Sequence, residues 1–250
     1  MSINNFFDKV YVINLNRRTD RRNNMQVELY KSGIDPDKVE WFEGFDLPGN
    51  ENHGCTKSHI KLWEKLANSS HKNELIFEDD MRAITIDALK ACNMFEFSPP
   101  VKIFRTILNG EGNLSERFHD MEQYIPEDWS VLFLGCGFGD YRLERVNPHC
   151  IRVQYVKTTG SYGITRSHAQ AMVEWFNEHV PHWERDDAYF CAADDALCNG
   201  SLFGNYYVLT PRLCYQGPSY SNIQKNHANH ILCMTDPHHE LNLLIDIYNQ

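Results

Sequence analysis

Three carboxylates stand in a row at Glu78-Asp79-Asp80, directly after the apolar run Leu75-Ile76-Phe77. Adjacent carboxylates repel one another, so the row costs energy unless a cation neutralises it. In extended chain Glu78 and Asp80 share one face and Asp79 takes the other. A carboxylate pair aimed into a cleft suits Mn2+ or Mg2+, hard cations that also bind diphosphate oxygens. The competing reading is a solvated acidic turn, which the position at a strand end disfavours. A second cluster, Asn14-Leu15-Asn16-Arg17-Arg18-Thr19-Asp20-Arg21-Arg22, sets four arginines beside an expected helix N-terminus. Guanidinium groups and a helix N-terminus both favour phosphate. Its alternative is a solvated helix face, with Arg21 or Arg22 paired to Asp20 or Glu28. A third, Gly54-Cys55-Thr56-Lys57-Ser58-His59, reads as a glycine opening a helix, with Ser58 and His59 in the first turn near a ligand. A structural histidine is the alternative there.

These residues need elements to position them. Val10 to Leu15, Glu74 to Phe77, Trp129 to Leu134, Ile151 to Val156, Tyr162 to Thr165 and Tyr206 to Leu209 read as strands. Arg17 to Ser32, Thr56 to Ala67, His168 to Asn177 and Asp187 to Cys198 read as helices, the first stopped by Gly33. The alternation predicts an α/β fold with a mostly parallel sheet covered on both faces. Ligands of such sheets bind at the carboxyl ends of strands, so the arginine run and the acidic row should open onto one edge.

Composition narrows the function. The chain has 250 residues, 42% of them hydrophobic, which supports one core. With 24 Lys and Arg against 34 Asp and Glu, the formal charge of −10 argues against a nucleic-acid partner. The N-terminal residues predict no secretory signal, and no apolar run reaches the roughly 20 residues of a membrane span, so a cytoplasmic protein is expected. None of the eight cysteines falls in a CxxC pair, which predicts free, mostly buried thiols and no structural zinc.

The order and spacing of Val12-Ile13-Asn14-Leu15 with Arg17 and Asp20-Arg21, then Gly54-Cys55-Thr56-Lys57-Ser58-His59 with Trp63, then Leu75-Ile76-Phe77-Glu78-Asp79-Asp80, resemble glycosyltransferase family 25. This family includes bacterial lipooligosaccharide galactosyltransferases and procollagen galactosyltransferases. The resemblance is strong over roughly the first 85 residues. It continues more weakly through Trp129 to Gly135, Gly160 to Ile164, Asp194 to Leu197 and Gln216 to Ile223. It implies a GT-A fold with one Rossmann-like domain, a UDP-sugar donor carrying galactose or glucose, and inversion at the anomeric carbon. Carried over, Asp80 is the first candidate for metal ligation, with Glu78 or Asp79 helping through the ribose or a metal-bound water. Asn14, Arg17 and Arg21 would line the nucleotide side, with Ser58 and His59 near the donor. The collagen-modifying members carry a secretory signal, a retention tail and further domains that this sequence does not display, which points to a bacterial-type or viral-type enzyme.

Inversion also needs a base on the acceptor side. Asp194-Asp195, late in the chain between apolar neighbours, is the candidate pair, with Asp195 preferred; the alternative is a helix cap. Asp186-Asp187 is a rival that fits a cap better. Residues 1–230 are expected to form the transferase domain, and 231–250 an amphipathic helical extension that docks on the domain or on a second subunit. His227, His230, His238 and His239 are a weaker source of a late metal ligand. Ile86 to Glu127 matches no pattern and is the expected place of acceptor-specific loops. An inactive nucleotide-sugar-binding module and a metal-dependent nucleotidyltransferase or phosphohydrolase are the alternatives. No G-x-x-x-x-G-K-[ST] loop occurs, so a P-loop enzyme is not expected.

Overall fold

Apolar residues on both faces of β1 (Lys9–Asn14) commit that strand to the interior. Val10 and Val12 enter one core, and Tyr11, between them, enters the other. This is the period-2 signature of a strand covered on both sides. A computed structural model describes residues 2–85, 112–138, 143–180, 182–187, 192–217, 219–221, 223 and 226–228. The expected helix over 231–250, His230, His238, His239 and most of the 86–127 stretch lie outside the described residues.

A short helix α1 (Ile3–Phe6) precedes β1, and α2 (Thr19–Lys31) follows it. Gly33 ends α2 as the sequence predicts. Its φ of +70° is a left-handed conformation, Gly33 N–H donates to the Tyr30 carbonyl, and Ile34 N–H donates to that of Leu29. Then come β2 (Val39–Glu43), α3 (Glu51–Ala67), β3 (Asn73–Glu78) and β4 (Met81–Ala83). After residue 111 the chain continues as α4 (Leu114–Met121), β5 (Val131–Phe138), β6 (Glu144–Asn147), β7 (Cys150–Val153), β8 (Val156–Thr165), α5 (Arg166–His179) and α6 (Ala193–Asn199). It closes with β9 (Tyr206–Leu209), β10 (Cys214–Gln216), β11 (Ser219–Ser221) and β12 (Asn226–Ala228).

Eight strands form one sheet in the order β2-β1-β3-β8-β5-β9-β7-β6. Six run the same way. β8 and β7 run against them, so the expected mostly parallel sheet is parallel in strand direction but contains antiparallel pairs around these two. The cause is local: β8 continues the direction of β7 after a break at 154–155. The reversal sets the N-terminal end of β8 beside the carboxyl end of β3, with Phe77 opposite Ser161. One face of the sheet is covered by α3, α5 and α6, through Trp63, Phe176 and Leu197. The other is covered by α1, α2 and α4, through Ile3, Met25 and Phe118.

Two helix starts differ from expectation. α3 begins at Glu51 rather than Thr56, and α6 begins at Ala193 rather than near Asp187. Among the described residues Asp186 and Asp187 cap no helix, since the N-cap of α6 is Ala192. Asp186 accepts from Lys57 Nζ at 2.6 Å, and Asp187 pairs with Arg185. The described cysteines are free, as expected, and all but Cys55 are buried.

His168 of α5 is 4% exposed and contacts the Tyr206 hydroxyl at 2.8 Å. Tyr206 donates its own proton to the Leu197 carbonyl, so His168 Nε2–H is the donor in this contact and the ring is neutral. Burial pushes its pKa from 6.5 down to about 4. Between those values the unfolded chain binds a proton that the folded chain refuses. Stability is therefore full above pH 6.5 and falls as the pH drops toward 4, by about 3 kcal/mol over the window. Urea denaturation at pH 7 and pH 5 should show about 2 kcal/mol of this loss in the wild type and a smaller one in His168→Gln. Equal losses in both would refute it.

Candidate functional site

The carboxyl ends of β1 and β3 and the N-terminal end of β8 border a cavity of about 290 Å³. The arginine run and the acidic row do open onto one edge, as the topology rule requires.

Glu78 is the last residue of β3, and Asp79-Asp80 form the turn that follows. Because the chain leaves the extended form there, the strict alternation of faces is lost. Glu78 faces β8 and β10. Its Oε1 accepts from Thr159 Oγ1 at 2.7 Å and lies 3.5 Å from His59 Nε2, while Oε2 accepts from Gln216 Nε2 at 2.9 Å. Asp79 turns toward β1 and α2. It accepts from Asn14 Nδ2 at 2.6 Å and from Arg21 Nη1 at 2.8 Å. The same Arg21 nitrogen lies 3.2 Å from Asp80 Oδ2. Gly217 N–H donates to the Asp80 carbonyl and ties the turn to the end of β10.

Burial acts on all three ionisable partners, and their neighbours decide the outcome. For Asp79 burial wins over Arg21 and Asn14 and raises the carboxyl above its usual range. For Glu78 burial is outweighed by His59, Thr159 and Arg21, and the carboxyl is held below its usual range. For Arg21 burial opposes the charge, but Asp80, Asp79 and Glu78 together hold the guanidinium more firmly protonated than usual.

Of the four arginines in the run, Arg21 alone is paired with the acidic turn. Arg17 binds Asp46 and Arg18 binds Asp20, both on the cavity wall or its rim. Arg22 stacks over Trp41, 4.5 Å from the ring centre. Glu28 is committed to the Ala83 N–H. The alternative reading, in which Arg21 or Arg22 pairs with Asp20 or Glu28, is therefore not what forms.

Gly54 lies inside α3 rather than before it. A Cβ there would overlap the Phe45 carbonyl oxygen. The glycine does permit a close approach, but the partner is the 44–47 loop. Ser58 and His59 consequently sit in the middle of the helix. Ser58 donates to the Gly54 carbonyl at 2.7 Å and accepts from Phe45 N–H at 2.9 Å, so it positions that loop. His59 is fully buried, with Nδ1 2.9 Å from the Tyr162 hydroxyl. Tyr162 also accepts from Trp63 Nε1. Both Ser58 and His59 still border the cavity. The first turn of α3 borders it through Glu51 and Asn52, and the Asn50 side chain does not cap that turn.

Asp194 and Asp195 occupy the first turn of α6 and diverge. Asp194 lines the cavity. Its Oδ2 accepts from Thr158 N–H and its Oδ1 from Asp195 N–H, each at 3.0 Å. Asp195 accepts from the Tyr155 hydroxyl at 2.6 Å and does not border the cavity. Thr158 holds a φ of +73°, a strained conformation for a β-branched residue that costs roughly 1–3 kcal/mol. Its bond to Asp194 helps to hold it there.

Sequence reasoning missed Thr158, Thr159 and Gln216 as individual site residues. The signal lay in the glycines beside them. A Cβ on Gly160 would approach Gln216 Cγ to 2.9 Å, so that glycine lets β8 and β10 close around Glu78.

The cavity wall carries six carboxylate residues, Asp46, Glu51, Glu78, Asp79, Asp80 and Asp194, against three arginines. A wall with this excess of carboxylates favours a cation. The oxygen donors of Asp80 and Glu78 suit a hard divalent ion; both oxygens of Asp79 already hold Asn14 and Arg21.

Comparison with known proteins shows the family. The family model described as glycosyltransferase family 25 (LPS biosynthesis protein) matches residues 47–189. Procollagen galactosyltransferase 1-A of Xenopus laevis is 30% identical over 154 residues, covering 52% of this chain and 21% of the relative. The probable inactive glycosyltransferase 25 family member 3 of Bos taurus is 31% identical over 195 residues, covering 67% of this chain and 29% of the relative. The chain thus spans less than a third of these relatives' length. The crystal structure of A197 from STIV aligns with 88% of this chain and 93% of its own, at 9% identity and a TM-score of 0.39. With the family model covering more than half of its length, the chain belongs to glycosyltransferase family 25.

Proposed function

We propose that this glycosyltransferase moves a hexose, galactose or glucose, from a UDP-sugar to a hydroxyl of a glycan or of a hydroxylated protein side chain, with inversion and with the help of Mn2+ or Mg2+. The observation that carries the reading is the shared cavity: the acidic turn, Arg21 and the first turn of α3 meet at the carboxyl edge of the sheet.

Asp80, with Glu78, would hold the divalent ion, which when bound supplies Lewis-acid neutralisation of the leaving diphosphate. The chain's own groups do the rest. Arg17 and Arg18 present guanidinium groups to the nucleotide side. The positive end of α3 favours phosphate near Glu51 and Asn52. Asn14 and Arg21 fix Asp79 and so hold the acidic turn in shape. Asp194 takes the acceptor proton at a carboxylate oxygen. It replaces Asp195 as the preferred base because it alone of the pair reaches the cavity.

The two aspartates give a sharp test. Asp194→Asn should lower kcat about 100-fold or more, as expected for loss of a general base, with little change in donor affinity. Asp195→Asn should keep activity within about tenfold of the wild type, its loss confined to the Tyr155 contact. Single-turnover assays of both variants decide it. Equal losses in both would remove Asp194 from the role.

A second reading is a nucleotide-sugar-binding module without turnover. Arg21 already bridges Asp79 and Asp80, and some relatives are named as inactive. Thermal denaturation with UDP-sugars, with and without Mn2+, separates the readings when run beside product analysis. Stabilisation with no transfer to any acceptor favours the module. No stabilisation by any UDP-sugar sinks both.

The proposal includes no nucleic-acid partner and places the chain in the cytoplasm. Among the described residues no helix is long and apolar enough to cross a membrane. A homodimer is a further part of the proposal, resting on the amphipathic pattern at 239–248.

A further inference from the structure

We propose that Cys55, His59 and Glu78 form a second cation site on the cavity wall, selective for a borderline divalent ion such as Zn2+, which shares Glu78 with the hard-cation site and does without Asp80. CxxC spacing gave no hint of it, because the fold rather than the sequence brings the three together.

Cys55 and His59 are four residues apart on α3 and so share a face of the helix. β3 delivers Glu78 to that face. One ligand atom from each, a thiol sulfur, an imidazole nitrogen and a carboxylate oxygen, lies within 4.8 Å of the other two. Tetrahedral zinc with bonds of about 2.0–2.3 Å sets its donors roughly 3–4 Å apart, so small side-chain rotations close the site. The outer partners are already in place. His59 Nδ1 is engaged by Tyr162, which leaves Nε2 as the nitrogen toward the cavity. That nitrogen is buried, lies 3.5 Å from Glu78 Oε1, and makes no hydrogen bond among the described residues. Both Glu78 oxygens are oriented, by Thr159 and by Gln216. Metal-binding histidines and carboxylates are held in this way by the groups behind them.

The donor set differs in kind from Asp80 and its neighbours. A thiolate with an imidazole selects zinc or cobalt over magnesium and manganese. Three protein donors would leave a fourth tetrahedral position, and all three residues border the cavity. Binding releases the Cys55 proton to solvent as the sulfur–metal bond forms. Glu78 serves both sites, so Zn2+ here withdraws it from Asp80. The consequence is inhibition of transfer by Zn2+ added over Mn2+, an outcome that rests on the proposed transferase activity. The binding itself does not.

The test is spectroscopic. Purified, metal-free protein is titrated with Co2+, and the near-ultraviolet thiolate-to-cobalt band is followed, with Zn2+ added afterwards to displace it. One equivalent of Co2+ should raise the band in the wild type and in Asp80→Asn. In Cys55→Ser the band should vanish, and Zn2+ affinity should fall by more than the roughly 10–100-fold that loss of an outer partner costs. Thermal denaturation of metal-free Cys55→Ser checks that the variant is folded. His59→Ala is a poorer probe, since it also releases Tyr162. No band in the wild type, a band that survives in Cys55→Ser, or a band lost in Asp80→Asn would each overturn the proposal.

Discussion

Asp80→Asn is expected to lower transfer about 1,000-fold while leaving the fold intact. The magnitude is that of removing a group that stabilises the charge developing on a leaving group. The substitution keeps the side chain's shape and removes one of the carboxylates that Arg21 serves. Asp79 remains beside Arg21 to keep the guanidinium paired, so the turn is not left with an uncompensated buried charge. The melting temperature should therefore move little. Activity at saturating Mn2+ is the measurement. Transfer within tenfold of the wild type would take Asp80 out of the catalytic account.

Gly135→Ala carries the largest expected effect on stability. Gly135 lies in β5, where the chain of β10 crosses it. A Cβ there would overlap the Cys214 carbonyl oxygen, a backbone atom that cannot swing aside. The crossing is fixed beside it by the Leu213 N–H, which donates to the Leu134 carbonyl. Relief requires β10 to move away from the sheet. Overpacking of this kind costs about 3 kcal/mol or more. β10 also brings Gln216 to Glu78 and Gly217 to the acidic turn, so the loss should reach the site as well as the fold. Chemical denaturation of the variant checks this, and a midpoint equal to that of the wild type would contradict it.

The contrast between these two residues shows what a sequence displays. The place of Asp80 on the cavity wall is legible because it follows from type and position: carboxylates after an apolar run, at the carboxyl end of a strand. The β1 strand, the α2 stop at Gly33 and the arginine run are legible for the same reason, since each rests on neighbours in sequence. Gly135 is not, because its role depends on β10, some eighty residues later. Thr158 and Thr159 were silent because they reach the site only through the reversed direction of β8. The start of α3 was misplaced because Gly54 reads as a helix opening; its partner, the Phe45 carbonyl, is a tertiary fact. The choice between Asp194 and Asp195 turns on helix phase. Adjacent residues of a helix point about 100° apart, and only the fold says which of the two directions meets the cavity.

Family membership comes from sequence and the cavity from the fold, and the donor panel joins them. Purified protein is incubated with UDP-galactose, UDP-glucose, UDP-N-acetyl sugars and GDP-sugars, in Mn2+ or in EDTA, with Asp80→Asn alongside, and released nucleotide is quantified. The account predicts Mn2+-dependent release of UDP from a UDP-hexose, abolished by EDTA and lost in the variant. Release that is indifferent to EDTA and to Asp80→Asn, or release from GDP-sugars alone, would contradict it.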